Sequence, residues 1–345
     1  MKIAQVSPLF ETVPPAGYGG TERVVFYLTE ELVRLGHQVT LFATADSTTS
    51  ARLVPVIETS LRNDMASTPM ALACHMIELG MLADAASTFD VIHFHTDYFH
   101  FPLAAGLRTP HVTTLHGRLD LPELAPLYRH FRRTPLVSIS DSQRAPLPWV
   151  NWRGTVHHGV PAALYPFEPE PGSYFLFLGR IAPEKRVDRA IEIALRTDTP
   201  LYIAAKVDEA DADYFSTCIR PKIDHRLIHF LGEVGDSEKP GLLKQARALL
   251  FPIDWPEPFG LVMIEALACG TPVIAYAHGS VPEVLQHGVT GYIVNNQEEA
   301  VQAARDIGLI DRRQCRAAYE RRFTAVHMAQ AYIDLYEQMI HREPH

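Results

Sequence analysis

The chain has 345 residues, 47% of them apolar and 21% charged, with a formal net charge of −9. That length suits two domains, each with its own core, and the acidic balance repels nucleic acid, so no nucleic-acid partner is expected. Cys74, Cys218, Cys269 and Cys315 lie too far apart for a disulfide framework or a thiolate zinc site. Residues 1–10 are too short and polar for a signal peptide. No stretch approaches the roughly eighteen consecutive apolar residues of a membrane span, so the expectation is a soluble cytoplasmic protein.

In chain order, Ile3–Val6 reads as a first strand. A helix is predicted from Thr21 to Leu35, with Val24, Val25, Leu28, Leu32 and Leu35 on one face and Gly36 closing it. Strands follow at Val39–Ala43, Val91–Phe94, Val112–Leu115, Leu136–Ile139 and Thr155–His157, most of them separated by helical patterns. Residues 160–173 hold four prolines and no period, which reads as a linker. The alternation restarts with strands at Tyr174–Leu178, Leu201–Ala205, Leu227–Leu231, Ala248–Phe251 and Val273–Ala275. Helices begin near Val187, Lys239 and Leu261, and a last one runs from His327 to Ile340. Alternating strands and helices imply parallel sheets covered on both faces. The expected division is 1–165, 166–325 and a closing helical segment 326–345 that packs back toward the first domain.

In such sheets a site lies outside the carboxyl ends of the strands. Arg180 and Lys185 put two cations on the loop after the strand at 174–178, a pattern suited to a diphosphate. The run Pro252-Ile-Asp-Trp-Pro-Glu257-Pro-Phe-Gly260-Leu-Val-Met-Ile-Glu265 starts at a strand end, passes through a proline-shaped loop and enters a helix. The first N–H groups of that helix lack intrahelical partners and can face an anion. Glu257 can accept hydroxyl hydrogens from the loop, and Glu265 can do so from the helix.

This segment resembles the E-x7-E signature of the family 4 retaining glycosyltransferases, which have the GT-B fold. Glu257 and Glu265 match its two glutamates, and Arg180 and Lys185 match its cations. Gly270-Thr-Pro-Val-Ile-Ala, Gly279-Ser-Val-Pro-Glu283 and Gly288-Val-Thr-Gly291 match its C-terminal pattern. The resemblance implies two Rossmann-like parallel-sheet domains facing each other across a cleft. It implies that Arg180 and Lys185 hold the donor diphosphate and Glu257 the donor-sugar hydroxyls, beside the backbone of Phe259, Gly260 and Leu261. Glu265 takes the ribose, and the base lies against the loops 205–208 and 232–236, Val234 included. In the first half, Gly17-Tyr-Gly-Gly20 resembles the family's glycine loop, which makes Gly19 and Gly20 donor contacts. His116, in Thr114-Leu-His-Gly117, stands where the family has a His on the donor sugar.

The implied activity is transfer of a sugar from a nucleoside diphosphate sugar, with a UDP or GDP base, to the hydroxyl of an unidentified acceptor. Retention follows from the resemblance, with front-face attack, no metal and no cofactor. The alternatives are a nucleotide-sugar epimerase, a sugar phosphorylase, or an idle nucleotide-sugar-binding protein. His93, His95 and Asp97 look like metal ligands, but a hydrogen-bonded role lining the cleft is the simpler expectation. Asp211-Ala-Asp213 reads as an exposed acidic helix start. Residues 122–133 read as a helix with Leu124, Leu127, Tyr128 and Phe131 on one face and Arg129, His130, Arg132 and Arg133 at its end. The simpler reading is that the apolar face packs on the sheet and the arginines are solvated or complement the helix C-terminus. The alternative is peripheral contact with an anionic membrane at the inner face.

Overall fold

The computed structural model describes residues 1–17, 19–62, 68–224 and 226–341. The chain divides into two compact units. The first is Met1–Gly159 together with the last helix, Ala325–Ile340, and the second is Val160–Thr324. The first boundary falls after Gly159 rather than after residue 165, because the proline-rich stretch is docked, not free. Val160 N–H donates to the Phe323 carbonyl, and Glu168 N–H donates to that of Cys269. Buried Arg312 also donates to the Glu168 carbonyl at 2.7 Å.

The first unit is built on a parallel sheet of β1 (Lys2–Val6), β2 (Gln38–Ala43), β3 (Arg52–Pro55), β4 (Val91–Phe94), β5 (His111–Thr114), β6 (Leu136–Ser138) and β7 (Trp152–Thr155). The strand order is β3-β2-β1-β4-β5-β6-β7. β3 escaped the sequence reading because it is an edge strand of four residues, half-exposed, with Arg at one end and Pro at the other. β7 begins earlier than predicted. The apolar cue at Val156 marks the end of its pairing, where Val156 N–H reaches the Ser138 carbonyl. The helix Gly20–Arg34 ends as its sequence requires: Gly36 N–H bonds the Val33 carbonyl and His37 N–H bonds that of Leu32.

The helix Thr68–Ala85 is rich in apolar residues, although His75, Glu78 and Asp84 interrupt the run. Met70–Thr88 is long and apolar enough to cross a membrane by length and composition. Ala71, Cys74, His75, Glu78 and Leu82 are buried on its inner side, while Met70, Leu72, Met76 and Ile77 are exposed. The segment at 122–133 forms a 3-10 turn, Pro122–Leu124, and a short helix, Ala125–His130. Tyr128 is buried, and Leu124 and Phe131 pack on the cluster of Phe101, Leu115 and Leu136. The apolar face that a lipid interface would need is therefore spent on the unit's own core, while Arg129, His130, Arg132 and Arg133 remain exposed, as does Glu123.

The second unit repeats the plan with β8 (Tyr174–Ile181), β9 (Leu201–Val207), β10 (Ile228–Gly232), β11 (Ala246–Phe251), β12 (Val273–Tyr276) and β13 (Gly291–Val294). The order is β10-β9-β8-β11-β12-β13, all parallel. β13 follows the loop Gly288–Gly291 and was too short and Gly-led to read as a strand. In both sheets the order reverses beside the first strand, between β1 and β4 and between β8 and β11. Strand ends diverge at such a point and leave a crevice. The chemistry-bearing residues of both units fall there.

Candidate active site

In the second unit, Arg180 lies near the end of β8, and Lys185 closes the 3-10 turn Pro183–Lys185 that follows. The Arg180 guanidinium faces Glu184 at 3.0 Å, Asp208 at 3.3 Å and Asp211 at 4.0 Å. Asp211 is thus part of this collar, with a side chain only 16% exposed, whereas Asp213 alone fits the expected exposed helix start. Lys185 Nζ sits 2.5 Å from Glu257 Oε2 and 4.4 Å from the centre of the Trp255 ring. Trp255 Nε1–H donates to the same carboxylate oxygen at 3.0 Å. Glu257 is therefore held by two donors, and Lys185 by a carboxylate and an aromatic face.

The loop bearing Glu257 is clamped by its neighbours. Gly279 has φ 57°, and a Cβ there would lie 2.3 Å from the backbone N and O of Glu257, so no side chain fits. Ser280 N–H donates to the Glu257 carbonyl at 3.0 Å, and its hydroxyl donates to the Phe259 carbonyl at 2.7 Å. Gly260 precedes the helix Leu261–Ala268, and Phe259 is buried beneath the turn. Arg186, at φ 54°, turns the chain into the helix Val187–Thr197. A non-glycine residue in this region costs about 1–3 kcal/mol. Pairs with Asp188 at 2.8 Å and Asp254 at 2.9 Å fix its side chain.

Glu265 is 1% exposed. Its Oε1 accepts from the Tyr165 hydroxyl at 2.8 Å and from Lys239 Nζ at 3.3 Å. Its Oε2 is buried with no hydrogen-bond partner among the described residues. Lys239 also reaches Asp236 at 3.3 Å, which ties the loop after β10 to this carboxylate. A groove of about 440 Å³ opens beside that loop, lined by Val234, Glu238 and Leu242 among others. Sequence reading missed Trp255, Tyr165 and Lys239. Trp255 stood inside the quoted motif, but the other two reach Glu265 from distant segments and gave no local signal.

In the first unit, Gly19 packs so tightly on Pro15 that a Cβ would lie 2.7 Å from the proline's own Cβ, whereas Gly20 is open. Tyr18 lies outside the described residues. His93 and His95 are both buried on the β4 end, with ring centres 4.0 Å apart. Neither faces a metal-ligand set: His93 bonds Tyr336 and Thr114, and His95 bonds Gln5 and His116. Among the described residues no group of three or more His, Cys, Asp or Glu side chains is placed to hold a metal ion. His116 follows β5 and stacks on His158 at 5.3 Å. Removal from water pushes its pKa down to about 3, so the ring is neutral at physiological pH.

Two family models match. One, described as glycosyl transferases group 1, covers residues 166–321, and the other, glycosyltransferase family 4, covers residues 18–145. The chain is 29% identical to a glycogen synthase of Mycobacterium tuberculosis, over 93% of this chain and 90% of that one. AviGT4, a glycosyltransferase involved in avilamycin A biosynthesis, superposes with a TM-score of 0.76 at 25% identity, covering 99% of this chain and 98% of its own. HepE of Anabaena, in complex with UDP and glucose, superposes with a TM-score of 0.76 at 19% identity, covering 98% and 100%. With two sheets of the same doubly wound plan and both family models in place, the chain belongs to the family 4 glycosyltransferases of GT-B fold.

Proposed function

We propose that this glycosyltransferase takes its sugar from a nucleoside diphosphate sugar, delivers it to an acceptor hydroxyl with retention, and needs no metal. The observation that carries this reading is the Lys185–Glu257–Trp255 cluster beside a buried Glu265 with one open oxygen. A buried carboxylate oxygen without a donor costs about 1–3 kcal/mol, and a ribose hydroxyl supplies that donor. Lys185 and Arg180 meet the diphosphate as negative charge grows on it, where fixed cations count most. Both are paired with carboxylates, so a diphosphate competes with Glu257 for Lys185 and leaves that carboxylate to the sugar hydroxyls. The HepE complex supports a UDP-type donor by likeness of fold alone.

In the step itself the bond from the anomeric carbon to the diphosphate oxygen breaks. The acceptor oxygen bonds that carbon on the same face, and the acceptor proton passes to the leaving phosphate oxygen. Positioning and charge stabilisation carry such a step more than a protein base does. The proposal extends to a cytoplasmic enzyme whose Arg129, Arg132 and Arg133 touch anionic lipid at the inner membrane face.

The test is release of free nucleoside diphosphate from UDP- and GDP-sugars, with and without acceptor extracts, in EDTA. Acceptor-dependent release with a retained anomeric configuration is expected. Release that needs a divalent ion, or an inverted product, overturns the reading.

A further inference from the structure

Gln5 is a polar residue in the middle of β1, fully buried between apolar neighbours, and such a group must be satisfied. Its amide nitrogen donates to the Tyr336 hydroxyl at 3.2 Å, and its amide oxygen lies 2.8 Å from His95 Nε2. With that oxygen as acceptor, His95 carries its proton on Nε2. A neutral imidazole then has a lone pair on Nδ1, and this atom lies 2.9 Å from His116 Nε2. His116 must in turn be protonated on Nε2. Its own Nδ1 is left as a lone pair, buried and without a partner among the described residues.

A second branch closes the network. The Tyr336 hydroxyl, accepting from Gln5, donates to His93 Nδ1 at 2.6 Å. His93 Nε2–H then donates to the Thr114 hydroxyl at 2.7 Å, which exchanges a hydrogen bond with Tyr332 at 2.8 Å. Every polar atom on this path finds a partner except His116 Nδ1. Reversing the Gln5 amide would reverse each proton along the path and turn that lone pair into an N–H.

We propose that Gln5 and His95 are positioning residues that lock His116 in its Nε2–H tautomer, so that Nδ1 accepts a hydrogen bond from a hydroxyl of the sugar substrate. The ligand role rests on the glycosyl-transfer reading above, whereas the proton arrangement does not. A lone pair in this place selects a hydroxyl and repels the oxygens of a phosphate or carboxylate. The substrate's sugar, not its diphosphate, is the group that meets it.

The test is a long-range 1H–15N correlation spectrum of the protein labelled on histidine, with His116 identified by its loss in His116→Asn. The expected spectrum shows His116 protonated on Nε2 and bare on Nδ1. An Nδ1–H tautomer in the wild type overturns the proposal without any further variant. His95→Leu removes the acceptor, and His95→Asn restores one, because its Oδ1 stands near the former Nδ1. Relative to wild type, kcat should fall about tenfold or more in His95→Leu and recover largely in His95→Asn, with the tautomer following in step. Equal kcat in the two variants sinks the positioning role. The expected tautomer in a protein that transfers no sugar from any donor removes the functional reading and leaves the proton arrangement standing.

Discussion

The two units share one strand order and place their polar residues at the same topological point, yet they are opposite in chemistry. In the first unit the crevice is walled by neutral rings: His93, His95, His100 and His158 are buried, and desolvation drives each well below the usual histidine range. In the second unit the same place holds opposed charges, with Arg180 among three acids and Lys185 against Glu257. A neutral hydrogen-bonded wall recognises hydroxyls by geometry, and an ion-paired wall trades its internal partners for an anion. One strand order therefore carries two opposite chemistries, and side chains alone decide which.

The comparison breaks most sharply at the cations. Lys185→Ala should slow transfer by roughly 100-fold or more, the scale for losing a donor to transition-state charge, and Arg180→Ala should behave alike. Steady-state kinetics with a saturating acceptor reads this out. Turnover within a few-fold of wild type in both variants would detach the second unit's charges from the chemistry.

The two glutamates sharpen the assignment. Glu265→Ala should weaken binding of the free nucleoside diphosphate about tenfold or more, the worth of a hydrogen bond to a charged group. Glu257→Ala should leave that affinity nearly unchanged and lower kcat. Calorimetric titration of UDP and GDP into both variants checks the split, and the reverse pattern would exchange their roles.

Acidification separates the units by stability. The folded-state pKa values of the buried histidines are depressed, so their contribution is complete above about pH 6.5 and is lost as pH falls below it. There the unfolded chain binds protons that the folded first unit excludes, at about 1.4 kcal/mol per pH unit for each histidine. Glu22 runs the other way. Burial raises its pKa to about 7, so its contribution is present near pH 4.5 and is lost as pH rises toward 7. Glu78 and Asp97, whose carboxyls burial also pushes up, run the same way as Glu22, and the depressed histidines of this unit outnumber these three acids. Hydrogen exchange at pH 7 and pH 5 should therefore show protection falling faster in residues 1–159 than in 160–324. Equal losses would mean that the histidines are already hydrated.

Much of this was legible in the sequence where a signal is local. Strand–helix alternation exposed both sheets, and the run from Pro252 to Glu265 marked the loop that joins β11 to the helix Leu261–Ala268. What stayed hidden came from distance along the chain. Tyr165 meets Glu265 and Tyr336 meets Gln5 only once the sheets have formed. Gln5 itself was visible as a polar residue in an apolar strand, but its partners were not. β3 and β13 were missed because Arg and Pro bound the first and a glycine opens the second, so neither shows an unbroken apolar run.

The smallest effect concerns the surface of the first unit. Residues 122–133 read as an amphipathic helix whose apolar face packs on the sheet, and Tyr128 and its apolar neighbours do pack inward. Only charge is left to meet a membrane: Arg129, Arg132 and Arg133 are exposed. Each basic residue near an anionic surface contributes about 1 kcal/mol and is screened within a Debye length of about 8 Å at physiological salt. Vesicle flotation should show weak binding to anionic lipid at low salt, none to neutral lipid, and release at high salt. Changing the three arginines to Ser should remove the binding and leave donor affinity intact. Binding that survives high salt would require inserted apolar side chains, which this packing does not free, and would point instead to the exposed Met70, Leu72, Met76 and Ile77 of the helix Thr68–Ala85.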